Sequence, residues 1–148
     1  MKTFNINNKC GFTLVEVLVV VLLIGMLTMM GIPYYKDHIE KQKAALGISN
    51  LTIITDALER HMALHSESVP TKFTLLNMDV RPEMLSDGGT KYDDGNFVYT
   101  INAGGYVNAA RNTGEYTLKS YWGNNPRITC TSSTDGFCAD KLNIQCDS

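Results

Sequence analysis

The sequence predicts an α+β fold in which one long amino-terminal helix packs on a small antiparallel sheet. Three observations carry that prediction. Between Phe12 and Ile32 the chain is almost wholly apolar, with only Thr13, Glu16 and Thr28 bearing polar side chains. From Tyr34 to about Leu64, apolar residues recur at helical spacing among charged ones. Between Asn96 and Trp122, three alternating runs are separated by two short glycine-bearing turns, the pattern of a β-meander. A helix laid across one face of such a sheet is an α+β roll, and 148 residues leave room for one ordinary domain.

The apolar run is long enough to cross a bilayer, which takes about 20 residues at 1.5 Å each. A cleaved secretory signal fits poorly. Its apolar core is shorter, about 7–15 residues, and ends in a small-residue site, whereas Met29-Met30-Gly31-Ile32-Pro33-Tyr34 follows here. A lipoprotein signal at Cys10 fits no better, because Asn7-Asn8-Lys9 precede that cysteine. Lys2 and Lys9 bias the amino-terminal end toward the cytoplasm and place the bulk of the chain on the far side. Glu16 is the run's one ionisable residue. An acid at the centre of a spanning helix costs about 2.5–3.5 kcal/mol and less near its end, so its presence points to a cationic partner.

Beyond Tyr35, Ile39, Leu46, Ile53, Ala57 and Leu64 follow a helical period, flanked by Leu51, Ile54, Leu58 and Met62. One helix is therefore expected to continue to about Leu64, half in membrane and half laid on a head. Pro33 should kink it, and Gly25 and Gly31 weaken it by about 1 kcal/mol each relative to Ala. His38, His61 and His65 lack a third neighbouring ligand and suit a surface role better than a metal site.

Residues 66–94 read as loop, punctuated by Pro70, Pro82 and Gly88-Gly89. The meander follows as Asn96–Asn102, Tyr106–Arg111 and Glu115–Trp122. The tail holds Cys130, Cys138 and Cys146, which can form one disulfide outside the cytoplasm. Asp87, Asp93 and Asp94 lie near glycines but do not follow calcium-loop spacing. Asp135, Asp140 and Asp147 are scattered among the cysteines as surface charge. Phosphate-binding loops, HExxH, GxSxG and paired CxxC motifs are missing from the sequence, so no catalytic residue, cofactor or metal is expected. A net charge of −2 does not recommend a nucleic-acid partner.

Lys9-Cys10-Gly11-Phe12-Thr13-Leu14-Val15-Glu16 resembles the cleavage motif of type IV prepilins and type II secretion pseudopilins. The resemblance implies a leader at 1–11, cut by a prepilin peptidase between Gly11 and Phe12, with Phe12 then N-methylated. Gly11 offers no side chain where an enzyme must approach the backbone. Losing the leader removes Lys2 and Lys9 from 13 basic residues, leaving 11 against 15 acidic and a side-chain balance of −4. Residues 12–33 would be the membrane and assembly half of the helix, 34–65 its amphipathic half, and 66–148 a head with three to four strands and a cysteine-bearing loop.

By the same resemblance, Glu16 pairs with the Phe12 amine of an adjacent subunit, and Gly25 and Pro33 bound a stretch that loses helicity on packing. The implied precursor sits in the bacterial inner membrane among lipid, head in the periplasm. Assembly machinery then adds it to an extracellular fibre of identical or related subunits serving adhesion, motility or DNA uptake, with no small-molecule substrate. A type II secretion pseudopilin is the alternative; major pseudopilins carry a carboxy-terminal calcium loop that Asp135, Asp140 and Asp147 do not suggest. Many type IV pilins close a carboxy-terminal disulfide loop. Cys130–Cys146 is the expected pair and Cys130–Cys138 the next. Either closes about 8–16 residues and contributes about 3 kcal/mol. The third thiol stays free or cross-links to another subunit.

Overall fold

The computed structural model describes residues 12–65, 69–123, 127–134 and 136–146, and of Pro33 only the backbone. The expected leader with Cys10 and Gly11 lies outside the described residues, as do Asp135 and Asp147. The chain divides into two units between His38 and Ile39. That boundary falls inside helix α1, Leu14–Leu64, which ends where the sequence predicts.

In the first unit, α1 is unbroken at Gly25, Gly31 and Pro33. Its described side chains from Phe12 to His38 are exposed. Even the middle of the run, Val17–Ile24, keeps its apolar side chains 47–57% exposed. A helix apolar on all sides requires an apolar surround, and this one is long and apolar enough to cross a membrane.

The second unit is a helix-on-sheet head. Strands β1 (Leu85–Ser86), β2 (Lys91–Asp93), β3 (Phe97–Asn102), β4 (Tyr106–Arg111), β5 (Tyr116–Tyr121) and β6 (Arg127–Ser132) pair in chain order as one antiparallel sheet. The three strands read from alternation are β3, β4 and β5. Gly105 takes φ +97° in the turn joining β3 to β4, with its N–H donating to the Asn102 carbonyl at 3.2 Å; that backbone suits a residue without Cβ. The sheet is larger than the three to four strands expected. Strands β1 and β2 have two and three residues, too few to show a period.

Inward side chains of the sheet, including Phe97, Tyr99, Val107 and Leu118, form one core with Ala44, Leu51, Ile54, Ala57 and Leu58 of α1. This corrects the apolar stripe read from the sequence. Leu46, Ile53 and Leu64 are exposed by 62%, 52% and 80%. The side of α1 that meets the sheet runs through Ala44, Gly47, Leu51, Ile54 and Leu58, spaced three or four apart. Two of these are small because the helix and sheet approach closely there. A Cβ on Gly47 would lie 2.9 Å from Phe97 Cε2 and 3.2 Å from Leu118 Cδ1.

Gly47→Ala therefore sets a helix-propensity gain of about 1 kcal/mol against overpacking of about 1–3 kcal/mol. We expect net destabilisation of about 1 kcal/mol, read as a lower urea midpoint of the Trp122 fluorescence transition. A raised midpoint would show that Phe97 moves aside without cost.

The disulfide is also a correction. Cys130 pairs with Cys138, Cα–Cα 5.7 Å, and Cys146 is a free, exposed thiol. Cys130 lies on β6 with its side chain in the core, 0% exposed. A π-helical turn, Phe137–Lys141, carries the buried Cys138 to it. Cys146 instead lies beside Cys130 as a parallel backbone bridge. Sequence separation could not distinguish a partner brought to the sulfur from one aligned with the backbone.

Candidate functional site

The described chain opens with Phe12, 83% exposed, and α1 begins two residues later. Thr13 caps the helix. Its Oγ1 accepts the Glu16 N–H at 3.3 Å, and its carbonyl accepts the N–H groups of Glu16 at 3.1 Å and Val17 at 3.3 Å. The pattern Thr13-x-x-Glu16 is the sequence signature of a helix start, a signal that the reading of the motif passed over. The cap satisfies a backbone donor that would be costly in hydrocarbon. It also sets Glu16 in the first turn, where a carboxylate complements the positive helix end. Glu16 is the third residue of α1 and lies four residues after Phe12 in the chain.

Farther along, the Thr28 hydroxyl donates to the Ile24 carbonyl at 2.7 Å. This satisfies the hydroxyl within the helix and, as such back-bonds do, favours bending. Gly25 and Gly31 are unconfined: a Cβ at either would meet nothing within 4 Å. Nothing in the described chain requires glycine there for space, so their contribution is the weaker helix they make.

In the head, two polar clusters fix α1 to the sheet. Arg111, 6% exposed, donates from Nε to Glu40 Oε1 at 2.7 Å and from its terminal nitrogens to the Asn96 carbonyl at 2.7 Å and Glu40 Oε2 at 3.4 Å. The Tyr116 hydroxyl also donates to Glu40 Oε1, at 3.0 Å. Burial pushes the Glu40 carboxyl up, but the hydrogen bonds of Arg111 and Tyr116 and the guanidinium charge outweigh it and hold it below the usual carboxylate range. Burial, then the bond to Glu40, pushes Tyr116 up.

Asp94 makes the second cluster. Its Oδ1 accepts the N–H groups of Asn96 and Phe97 at 2.8 and 2.7 Å, and its Oδ2 accepts Asn50 Nδ2 at 2.9 Å and Tyr99 OH at 2.7 Å. Asp93 accepts the Gly95 N–H, and Asp87 pairs with Lys91. These acids, whose spacing does not follow a calcium loop, hold turns. His61 and His65 stack face to face, 4.2 Å apart with 14° between rings, an arrangement that does not converge their nitrogens on a metal.

Residues 6–32 match the family described as "Prokaryotic N-terminal methylation motif". The chain is 30% identical over 120 residues to fimbrial protein Q of Moraxella bovis, an alignment covering 80% of this chain and 71% of that protein. The chain belongs to the type IV pilin family. A type IV major fimbrial protein FimA of Dichelobacter nodosus is 49% identical over 39 residues, 26% of this chain and 24% of the relative's length.

Membership makes this pilin a structural fimbrial protein and not an enzyme. It also orders the candidate residues. Phe12, Glu16 and Gly25 fall within the matched motif segment and Pro33 lies one residue past it; Glu16, Gly25 and Pro33 are on α1, which begins two residues after Phe12. Gly11 falls in the same segment but outside the described residues. The three tail cysteines belong to the head. Thr13 and Thr28 join the first group as residues that let its backbone and hydroxyls sit in an apolar medium.

Proposed function

We propose that this pilin is the subunit of an extracellular type IV fibre, made as a membrane-anchored precursor. In this reading a prepilin peptidase removes residues 1–11 after Gly11, and Phe12 becomes the N-methylated terminus. Residues 12–33 hold the precursor in the bacterial inner membrane, with 34–65 and the head 66–148 on the periplasmic side. Inner-membrane assembly machinery then moves the subunit into the fibre, where 12–33 exchanges lipid for the helices of other subunits.

One observation carries the reading: the uncovered apolar stretch from Phe12 to Ile32 bears a single carboxylate, Glu16, four residues after Phe12. Lipid accounts for the apolar surface but not for the acid. A fibre accounts for both, because Glu16 of one subunit can neutralise the Phe12 amine of its neighbour and turn two costly charges into one satisfied pair. Gly25, Thr28 and Pro33 then mark the stretch where the helix yields on packing. Leu46 and Ile53 of the head unit supply further uncovered apolar surface for subunit contact.

The test is to shear surface filaments from cells, purify them and sequence the subunit's amino terminus. The expected result is abundant filament whose subunit begins at methylated Phe12. Absence of the chain from any filament overturns the proposal. If that absence comes with a metal-dependent effect on protein secretion, the chain is a type II secretion pseudopilin.

A further inference from the structure

We propose that the three tail cysteines form an internal thiol–disulfide exchange unit, in which Cys146 can displace Cys138 from Cys130. Their placement supports this before any chemistry is considered. The Cys130 N–H donates to the Gln145 carbonyl at 2.9 Å, and the Ile144 N–H donates to the Cys138 carbonyl at 2.9 Å. The segment leading to Cys146 is thus pinned by its backbone to both halves of the existing disulfide. Cys146 itself bridges Cys130 in parallel register. Neighbouring strands lie about 4.7–4.9 Å apart, within the 4.4–6.8 Å Cα window of a disulfide. Residues in bridge register also present their side chains to one face of the sheet. Cys130 therefore has two cysteines in reach: Cys138, bonded and buried, and Cys146, free and exposed.

The exchange is redox-neutral. Cys146 gives its proton to solvent, and its thiolate attacks the Cys130 sulfur. A Cys130–Cys146 bond forms as the Cys130–Cys138 bond breaks, and Cys138 leaves as a thiolate that takes up a proton. Among the three tail cysteines one disulfide and one thiol are present before and after, so no oxidant is needed. The consequence is positional. In one isomer the free thiol is on the surface, where it can react with another molecule. In the other it is Cys138, inside the head, and the turn Phe137–Lys141 loses its covalent tie to β6.

The full-length chain in detergent supplies the test, with non-reducing mass-spectrometric mapping after acid quench and alkylation under denaturing conditions. We expect most molecules to carry the label on Cys146 and a minority, above about 1 in 100, to carry it on Cys138. Prolonged maleimide treatment of the native protein should then drain the Cys138-labelled minority to zero, because trapping exposed Cys146 draws the exchange to one side. A Cys138→Ser variant incubated in air, whose oxygen takes up the two electrons and two protons released, should form Cys130–Cys146 and keep no reactive thiol in the head. The proposal is overturned if wild type shows no Cys138 thiol, if the minority survives maleimide as a static population, or if air-exposed Cys138→Ser keeps both Cys130 and Cys146 free. The wild-type arms decide the matter even where the variant fails to fold.

Discussion

A Glu16→Ala pilin is expected to reach the membrane at the wild-type level and to yield no more than about one hundredth of the wild-type fibre. The size follows from the charge left behind. Without Glu16, each added subunit places an unneutralised Phe12 ammonium among apolar helices, and an isolated charge in such surroundings costs about 2.5–3.5 kcal/mol. Each 1.4 kcal/mol is a tenfold change in an equilibrium, so the addition of each subunit weakens by about two powers of ten. Glu16→Gln should fail almost as badly, because the charge is lost while the shape is kept. Glu16→Asp should recover part of the yield. The folded head is not at stake. The Glu16 side chain is exposed and makes no hydrogen bond or ion pair among the described residues. Sheared fibre measured against membrane-bound subunit gives the ratio, and unchanged Trp122 unfolding in the same variants shows that the head is intact. Normal fibre yield from Glu16→Ala would remove the carboxylate from the assembly reaction.

Much of this was legible because the signals are local. The apolar run, the acid within it and the glycine-bearing turns of the meander each declare themselves within about twenty consecutive residues. The identity of the buried helix face did not. Apolar residues occur on two sides of α1 in the head, and the bulkier set, Leu46, Ile53 and Leu64, gave the stronger periodic signal while remaining exposed. The buried set includes Ala44 and the uncrowded-looking Gly47, whose small size matters only once Phe97 and Leu118 are seen against them. The pairing of Cys130 with Cys138 depended on a five-residue π-helical turn, which has no composition signature. The spacing of Asp87, Asp93 and Asp94 argued against a calcium loop but did not say what Asp94 holds instead. Its actual partners include Asn50, 44 residues away. Long-range polar pairs of this kind are invisible to any window along the chain.

The strongest such pair should also be the most costly to break. Glu40→Ala is expected to destabilise the head by about 3 kcal/mol, the lower end of the cost of leaving one partner of a buried ion pair alone. The Arg111 side chain is 4% exposed, and removing Glu40 takes away the carboxylate it hydrogen-bonds, leaving the Asn96 carbonyl and the longer-range charge of Glu115. Arg111→Ala should cost less, because Glu40 is 20% exposed and can regain water. Replacing both residues with Met should recover much of the loss, since a buried ion pair is often exchanged for apolar packing at little net cost. The pair also predicts the acid limb of stability. A carboxyl whose pKa is lower folded than unfolded stabilises the fold above its unfolded pKa, about 4.3. That contribution disappears as pH falls through the lower, folded value. The gap between wild type and Glu40→Gln should therefore be full at neutral pH and shrink below about pH 4. Thermal unfolding of the full chain in detergent, followed by its one tryptophan, Trp122, should show Glu40→Ala melting roughly 10 °C lower near neutrality. A shift under about 3 °C, or a gap from wild type to Glu40→Gln that does not narrow in acid, would mean that the helix is held to the sheet by its apolar face alone.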